Sequence, residues 1–374
     1  MKSVVLFLIA TQLHAAPEGN YIIKLKKRPS VLRAIDPLAR MRTLLDQVDE
    51  ASQEPTVYSG IGNMYSVSLS GDSVAEISKQ SDVAYIEKDF AVRPEEIQES
   101  AGWHLSRVSH RRVLPKPEQK YIYESAGEGV TVYIVDSGIN ITHPDFEGRA
   151  SHGKTFYGDD DLDWTGHGTF VAGLVGSKTF GTAKKAKLVA VKIFDSQGNS
   201  TGSSAIAAID WVVENAKPGY SILNLSIGAA RSRALNDAVD AAIRNNIAVV
   251  VAAGNENVDA CTRSPASSKR VITVGSIGPD DIRSNFTSYG SCVDIFAPGE
   301  RLPSTSKTGG ISLATGTSAS APVVAGILAN FLSEEPETSP QGLNLKLLLT
   351  ATRNTIKELD TESPNRVAYN VITN

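Results

Sequence analysis

Apolar and polar residues alternate in two different ways along this chain. Between about Asn20 and Val92 the periodic segments are short, and turn residues separate them. Segments 20–25, 64–69 and 83–87 have the period-two pattern of half-buried strands, while 36–48 and 74–79 have helical spacing. The pattern predicts a small α+β unit in this part of the chain.

Beyond residue 100 the strands are continuous apolar runs, and amphipathic segments separate them. Strands of this kind are buried on both faces, which is typical of a parallel sheet covered by helices. We therefore predict an α/β fold with a mainly parallel sheet flanked by helices, preceded by the small α+β unit. The predicted strands are 130–135, 188–194, 221–227, 247–252 and 271–274, and the predicted helices include 204–215 and 232–245.

The N-terminus and one polar stretch give the predicted boundaries. Lys2 precedes a short apolar run, and the small residues Ala15 and Ala16 follow it. This is the layout of a secretory signal peptide, and the run is too short to span a bilayer. Arg93–Ser100 is polar and contains a proline, as linkers do. We predict a signal peptide over 1–16, a first domain over 17–98, a second over 99–374, and a secreted, extracellular protein.

Charge and cysteine content narrow the classes of partner. The 374 residues include 37 Lys and Arg against 41 Asp and Glu, a net charge of -4. With no long basic run, nothing in the charge favours nucleic acid or an anionic membrane as partner. The cysteines are Cys261 and Cys292. In an exported protein such a pair favours a disulfide, and two separate buried thiols are the alternative.

Polar residues and glycines follow three of the predicted strands. They are Asp136, the segment Ser226–Gly228 and the pair Gly254–Asn255. In open α/β sheets the functional groups gather at the carboxyl edge of the strands. The sequence therefore predicts a functional edge before any single residue is assigned a role.

Three residues have the properties that acyl transfer requires, namely a hydroxyl nucleophile, a base and a group that orients the base. Asp136 follows an apolar strand, and His167 lies between two glycines. Ser318 precedes Pro322, where a helix is predicted to begin, beside free N–H groups and the positive end of the helix dipole. Each residue alone has a structural explanation, as a turn, core or cap residue.

The three segments together resemble the signature segments of the subtilase family of serine proteases. They are 132–140, 166–169 and 316–322. Their order, Asp then His then Ser, is that of subtilisin. The resemblance runs from about Trp103 to Asn370 and is greatest to secreted fungal members of the proteinase K type. It implies that Ser318 is the nucleophile, His167 the general base and Asp136 the residue that orients the base.

The resemblance also implies an oxyanion hole and a mode of peptide binding. Asn255 matches the asparagine that stabilises the oxyanion together with the backbone N–H of the nucleophile. The segments Ser226, Ile227, Gly228 and Ala252, Ala253, Gly254 match the two walls of the specificity pocket, and Gly198, Asn199, Ser200 match the edge that pairs with an extended peptide. Recognition through the main chain implies broad specificity for protein or peptide substrates.

The N-terminal unit resembles the inhibitor-like propeptide of these proteases, notably over residues 84–90. The resemblance implies that this unit assists folding, is cut from the protease in the linker by the protease itself, and inhibits until it is degraded. The mature protease is expected to be a monomer.

Two structural sites are implied by the resemblance. Cys261 and Cys292 fall where some relatives have a disulfide. Asp294, with the carbonyls of Lys269 and Val271, resembles a structural calcium site, while the chemistry itself requires no cofactor. Because two of the three calcium ligands are backbone carbonyls, which every residue has, the sequence leaves this site open.

Three positions depart from the family pattern. Phe170 and Val323 stand where histidines are usual, and Ala319 stands where methionine is usual. None is a catalytic or oxyanion position, and the two apolar replacements predict a shared packing environment. The departures leave a catalytically silent binding protein as the alternative function. An esterase of the α/β-hydrolase type is disfavoured, because it expects Gly-x-Ser-x-Gly with the serine first.

Sequons predict N-glycosylation at Asn285, Asn140 and Asn199. A sugar on Asn199 would interfere with the substrate edge. Asn285 is therefore the more favourable site for a glycan. Asn224 also lies in a sequon, but in a strand predicted to be buried. The acidic segment Gly158–Asp163 is interpreted as a solvated loop rather than a second calcium site.

Overall fold

A computed structural model describes residues 19–26, 37–48, 54–58, 63–89, 96–116, 118–158 and 160–370. The chain divides into two compact units, Met1–Arg93 and Pro94–Asn374. The predicted signal peptide, 1–16, lies outside the described residues.

The described residues of the first unit form a four-stranded antiparallel sheet and two helices. Its elements are β1 (Gly19–Leu25), α1 (Pro37–Asp46), β2 (Thr56–Val57), β3 (Met64–Leu69), α2 (Gly71–Ser78) and β4 (Val83–Lys88), with strand order β2-β3-β1-β4. Alternate residues of β1, such as Ile23, are buried with Met41 of α1 and Ile77 of α2 in one core. The elements and their order match the predicted α+β pattern.

The second unit begins with β5 (Glu96–Gln98), α3 (Trp103–Ser109), β6 (Tyr121–Tyr123), β7 (Thr131–Asp136), β8 (Ala150–Thr155), α4 (His167–Gly176), β9 (Lys187–Lys192), α5 (Gly202–Asn215), β10 (Ser221–Leu225), β11 (Ala229–Ala230) and α6 (Arg233–Arg244). It continues with β12 (Ala248–Ala252), β13 (Arg263–Ser264), β14 (Ile272–Ile277), β15 (Ile295–Pro298), β16 (Leu302–Thr305), β17 (Ile311–Ala314), α7 (Thr317–Glu334), α8 (Pro340–Thr350), β18 (Thr352–Arg353) and β19 (Arg366–Val367).

The main sheet of this unit has the order β18-β19-β15-β14-β12-β10-β7-β9-β8. Neighbouring strands are parallel except for the antiparallel pair β18 and β19. Helices α4 and α7 share one buried cluster with the sheet, and α5 and α6 share a second one. The predicted α/β fold, a mainly parallel sheet flanked by helices, is confirmed.

Local sequence explains the helices that cover the sheet. In α6 the apolar residues Leu235, Val239, Ala242 and Ile243 form one buried stripe. Its N-cap, Ser232, accepts a hydrogen bond from the N–H of Leu235 at 3.3 Å. The stripe buries the helix against the sheet, while the cap determines where it begins.

Some elements differ from the prediction. The predicted linker, 93–100, contains β5. This segment has no apolar pattern of its own, and it is a strand because it pairs with β6. Strand β8 has a polar sequence, because it lies at the edge of the sheet. Among the described residues, every helix is too short or too polar to cross a membrane.

Candidate active site

The predicted functional edge is formed by the ends of adjacent strands. Asp136 is the last residue of β7, Ser226 follows β10, and Asn255 lies beyond the end of β12. These three strands are consecutive neighbours in the sheet. Because the strands are parallel, their carboxyl ends lie at the same edge, as predicted.

Asp136 and His167 form a direct pair. Nδ1 of His167 lies 2.8 Å from Oδ1 and 3.0 Å from Oδ2 of Asp136. The Asp136 side chain is 1% exposed, whereas the His167 side chain is 40% exposed. The negative charge of Asp136 raises the pKa of the His167 imidazole, against an opposing effect of burial. The carboxylate therefore holds the ring in one orientation and favours its protonation.

Glycines allow the helix that carries His167 to approach the strand that carries Asp136. His167 is the first residue of α4, after Gly166 with φ of 86°. A Cβ added to Gly168 would overlap the carbonyl oxygen of Gly138 and lie 3.2 Å from the Cβ of Asp136. The glycines on both sides of His167 are thus required by the backbone.

Ser318 is the second residue of α7, in the first turn of the helix. Its carbonyl oxygen accepts a hydrogen bond from Ser226 Oγ at 3.0 Å. Pro322 lies in the second turn of α7 rather than in the first turn expected from sequence. The helix nevertheless begins beside Ser318, where N–H groups are unpaired within the helix and the dipole is positive.

Asn255 is held by the residue that precedes Ser318. Its Oδ1 accepts hydrogen bonds from the N–H and the hydroxyl of Thr317, at 2.8 and 2.9 Å. The Thr317 hydroxyl also accepts from the N–H of Gly254 at 3.1 Å. A Cβ added to Gly316 would lie 3.1 Å from Ser318 Oγ and 3.2 Å from Asn255 Nδ2. The amide donor and the serine hydroxyl therefore lie close together.

The acidic segment is solvated in part, because Gly158, Asp161 and Leu162 are exposed as expected, whereas Asp163 is buried. Asp163 is 8% exposed, and backbone and hydroxyl groups surround its carboxylate. Asp160 accepts a hydrogen bond from the buried Lys192 at 3.0 Å. Asp159 lies outside the described residues. Ser137 and Lys192 lie 26 and 32 positions away from these carboxylates, so the local sequence pattern does not predict the contacts.

The three segments expected to bind peptide follow strands of the main sheet at this edge. The segments 226–228 and 252–254 lie at the ends of β10 and β12, and 198–200 follows β9. The backbone N–H and carbonyl of Asn199 bond to Asp195, at 2.8 and 3.0 Å. In the described part of the chain, no hydrogen bond involves the Gly198 carbonyl or the Ser200 backbone groups. Alternate residues of this segment thus have main-chain groups available, as strand addition requires.

A disulfide joins Cys261 and Cys292, which leaves no free cysteine among the described residues. It links the segment after Asn255 to the segment before Asp294. The family resemblance had implied this bond, and the two-cysteine content had favoured it over separate thiols.

Asp294 supplies the side-chain ligand of the expected calcium site. Its Oδ2 accepts a hydrogen bond from the N–H of Thr273 at 2.8 Å, and burial raises the pKa of its carboxyl to about 6. Lys269 and Val271 directly precede β14, the parallel neighbour of β15, which Asp294 precedes. The Thr273 N–H and the positive charge of Arg366 oppose this effect of burial, and a cation bound by the carboxylate oxygens would oppose it further. Among the described residues, no group of three or more His, Cys, Asp or Glu side chains could hold a metal.

The residues that depart from the family pattern are buried away from solvent. Phe170 is 4%, Ala319 1% and Val323 0% exposed. Phe170 of α4 and Val323 of α7 belong to the same core cluster, and their helices pack together. These positions act in packing between the two helices that carry His167 and Ser318.

The sequons differ in how accessible their asparagines are. Asn285 is exposed, whereas Asn224 is 0% exposed and donates to Ser226 Oγ at 3.0 Å. The Asn140 side chain donates to the Lys307 carbonyl at 2.9 Å. That of Asn199 donates to Asp195 at 3.1 Å. A sugar on Asn140 or Asn199 would leave the amide nitrogen a single hydrogen with which to make these contacts.

A carboxylate–imidazole pair and a helix-terminal serine at the carboxyl edge of a parallel α/β sheet are the groups that serine hydrolases use. Residues 127–367 match the subtilase family. The chain belongs to this family of serine proteases.

Named relatives agree with this assignment. Alkaline protease 2 of Aspergillus fumigatus is 40% identical over 336 residues, 82% of this chain and 68% of that protein. The cuticle-degrading protease of Metarhizium anisopliae is 37% identical over 370 residues, 97% of this chain and 92% of that protein. A crystal structure of a cold-adapted subtilisin-like serine proteinase has a TM-score of 0.70 and 38% identity, covering 73% of this chain and all of that one.

Proposed function

We propose that the protein is a secreted serine endopeptidase that hydrolyses peptide bonds through an acyl-enzyme, with Ser318, His167 and Asp136 as its catalytic residues. The contact between His167 and the buried Asp136, 2.8 Å at the carboxyl edge of the sheet, carries this proposal. A buried carboxylate on Nδ1 leaves Nε2 as the nitrogen that accepts a proton.

The mechanism follows from these roles. Ser318 Oγ attacks the scissile carbonyl carbon while His167 Nε2 takes the hydroxyl proton. Asn255 Nδ2 and the N–H of Ser318 donate to the oxyanion, and Thr317 keeps the Asn255 amide turned toward it. His167 then gives its proton to the leaving amine as the C–N bond breaks. Water repeats the sequence on the acyl-enzyme and releases the acid.

Substrate recognition relies on the main chain. An extended peptide pairs with Gly198 and Ser200 as an added strand, and its P1 side chain enters between segments 226–228 and 252–254. The available backbone groups beside Asn199 support this arrangement. Because main-chain pairing is common to all peptides, specificity is broad.

Export and maturation complete the proposal. Residues 1–16 are the signal peptide, 17–98 the propeptide and 99–374 the peptidase domain. The compact first unit, with its own core, supports a propeptide that folds as a domain, assists folding and inhibits. The protease cuts its own linker, is active as a monomer, and carries sugar at the exposed Asn285.

Calcium has a structural role in this proposal. Asp294 and the carbonyls of Lys269 and Val271 would hold the ion, which would compensate the buried carboxylate. The ion lies outside the chemistry, so all proton transfers remain with His167.

Labelling with a fluorophosphonate probe and clearing of casein test the function together. The secreted wild-type protein is expected to form an adduct at Ser318 and to clear casein, while Ser318→Ala does neither and accumulates as the uncut precursor. Absence of an adduct in mature wild-type protein would identify a silent binding protein instead. An adduct without peptide cleavage would identify an esterase, and cleavage of the linker in purified Ser318→Ala would disprove self-processing.

A further inference from the structure

The carboxylate of Asp163 is surrounded by donors from both sides of the candidate active site. Its Oδ1 accepts hydrogen bonds from Ser137 Oγ at 2.7 Å and from the N–H of Gly166 at 2.8 Å. Its Oδ2 accepts from the N–H and the hydroxyl of Thr169, at 2.8 and 2.6 Å. Both oxygens thus act as acceptors, and the group is 8% exposed.

These donors belong to the two elements that carry the Asp–His pair. Ser137 directly follows Asp136 at the end of β7, and its own N–H donates to Asp136 Oδ1 at 2.8 Å. Gly166 and Thr169 lie on either side of His167 in the first turn of α4. The Ser137 hydroxyl also accepts from the N–H of Gly168 at 2.9 Å, which closes the network.

The position of Asp163 is favourable for its charge. A carboxylate at a helix N-terminus is stabilised by the unpaired N–H groups and by the dipole. The charged groups around the His167 loop are Asp136 on β7, Asp163 itself, and Lys307, whose Nζ contacts the Trp164 carbonyl. The two carboxylates both favour the imidazolium form of His167.

We infer that Asp163 is a positioning residue for catalysis, which holds the first turn of α4 against the end of β7 and so fixes His167 relative to Asp136. The residue does not contact substrate and acts through the pair. This inference rests on the proposed function, since it assigns a role within that active site.

Asparagine cannot reproduce this network. Its single amide oxygen can accept from one side, and its NH2 group then faces N–H and O–H donors on the other. Asp163→Asn therefore loosens one of the two attachments and removes the charge. An error of about 1 Å in the position of a catalytic group lowers the rate on the order of 100-fold.

The test compares kcat, KM and the pH profile of Asp163→Asn with those of the wild type. We expect kcat to fall about 10- to 100-fold with little change in KM. The acidic limb of kcat/KM is expected to move to lower pH, because loss of a nearby negative charge lowers the pKa of His167. Asp281→Asn is the matched control, since Asp281 is also buried and bonds through both oxygens, to Arg107 at 2.6 and 2.9 Å. That control should lose stability and keep its kcat and pH profile.

A second variant covers the case in which Asp163→Asn does not fold. Ser137→Ala removes the link to the end of β7 but keeps the contacts of Asp163 with α4, and it should lower kcat in the same direction by a smaller factor. Wild-type kcat and pH profile in either folded variant overturn the inference.

If Ser318→Ala and His167→Ala keep full activity, the proposed function fails instead. The imidazole pKa of His167, measured by NMR with and without Asp163→Asn in a Ser318→Ala background, gives a readout that needs no activity.

Discussion

The hydroxyl of Ser226 donates to the carbonyl oxygen of Ser318 at 3.0 Å, across 92 positions of sequence. In an uninterrupted helix this carbonyl would accept from the N–H four residues later, but that residue is Pro322, which has none. Asn224 donates to the same hydroxyl at 3.0 Å and thereby orients it. The end of β10 therefore completes the first turn of the helix that carries the nucleophile.

Ser226→Ala is expected to lower stability by about 1–3 kcal/mol, because it leaves the Ser318 carbonyl and the Asn224 amide without this partner in a buried site. Chemical denaturation in a Ser318→Ala background, which prevents autolysis, measures this change. Ser221→Ala at the start of β10 is the matched control, since the buried Ser221 hydroxyl has no hydrogen-bond partner among the described residues. Its removal should leave stability unchanged or raised, and an equal loss in both variants would contradict this account.

Thr317→Val should lower kcat/KM by roughly tenfold, because the lost hydroxyl no longer connects Gly254 to the Asn255 side chain, while the backbone contact at 2.8 Å remains. Steady-state kinetics on a peptide substrate provide the measurement. In subtilisin, a member of the same family, removing the oxyanion amide itself lowers kcat on the order of 10²–10³-fold. In the Asn255→Ala background the Thr317 substitution should add little, and full additivity would show that Thr317 acts elsewhere.

Activity is expected to fall on acidification through a pKa above 6.5, because Asp136 raises the pKa of His167 and the base works only when neutral. The pH dependence of kcat/KM reports this limb. In Asp136→Asn the residual activity should be low and its limb should move to lower pH. The same pKa shift has the opposite effect on stability. A histidine pKa that is raised in the folded state stabilises the fold at pH values below the pKa of the unfolded state, and this contribution is lost as pH rises through the folded-state pKa. A limb below pH 6.5 in the wild type would oppose this assignment.

Replacing both Cys261 and Cys292 by serine should destabilise the folded protein by about 3–4 kcal/mol, from the chain entropy of a loop with sequence separation 31. Denaturation of the Ser318→Ala protein with and without the two substitutions tests this. The same bond can be removed chemically, by reducing the wild-type disulfide under denaturing conditions and then alkylating the two cysteines. An unchanged free energy of unfolding would contradict this chain-entropy account.

Removing calcium with a chelator is expected to lower the melting temperature of the Ser318→Ala protein, because an ion at 100 times its dissociation constant stabilises by about 2.7 kcal/mol. Asp294→Asn should abolish the difference between calcium-loaded and chelated samples. Asp280→Asn, on the exposed turn after β14, is the control that should retain it. An undiminished calcium effect in Asp294→Asn would place the ion elsewhere.

The parts of the fold that sequence could predict are those with a local signal. The central strands are continuous apolar runs, and Asp136 and Asn255 follow two of them, so their shared edge was predictable. The contacts of Asp163, Thr317 and Ser226 were not, because each joins polar residues on different segments, and such pairings leave no periodic trace. Strand β5 likewise depends on its partner β6 for its conformation.

Helix α7 has a consequence for how the chain must fold. It packs on β10, β12, β14 and β15 and on α4, yet its last residue is Glu334. On the ribosome, the apolar face that this helix covers is therefore exposed while some 300 residues are already made. Long-range parallel pairings of this kind form slowly, because the chain loses entropy when the loop closes, before the contacts that offset this loss have formed. Synthesis thus delivers the nucleophile together with a late part of the core, and α8, β18 and β19 follow later still, so the chain has no complete active site until its interior can close.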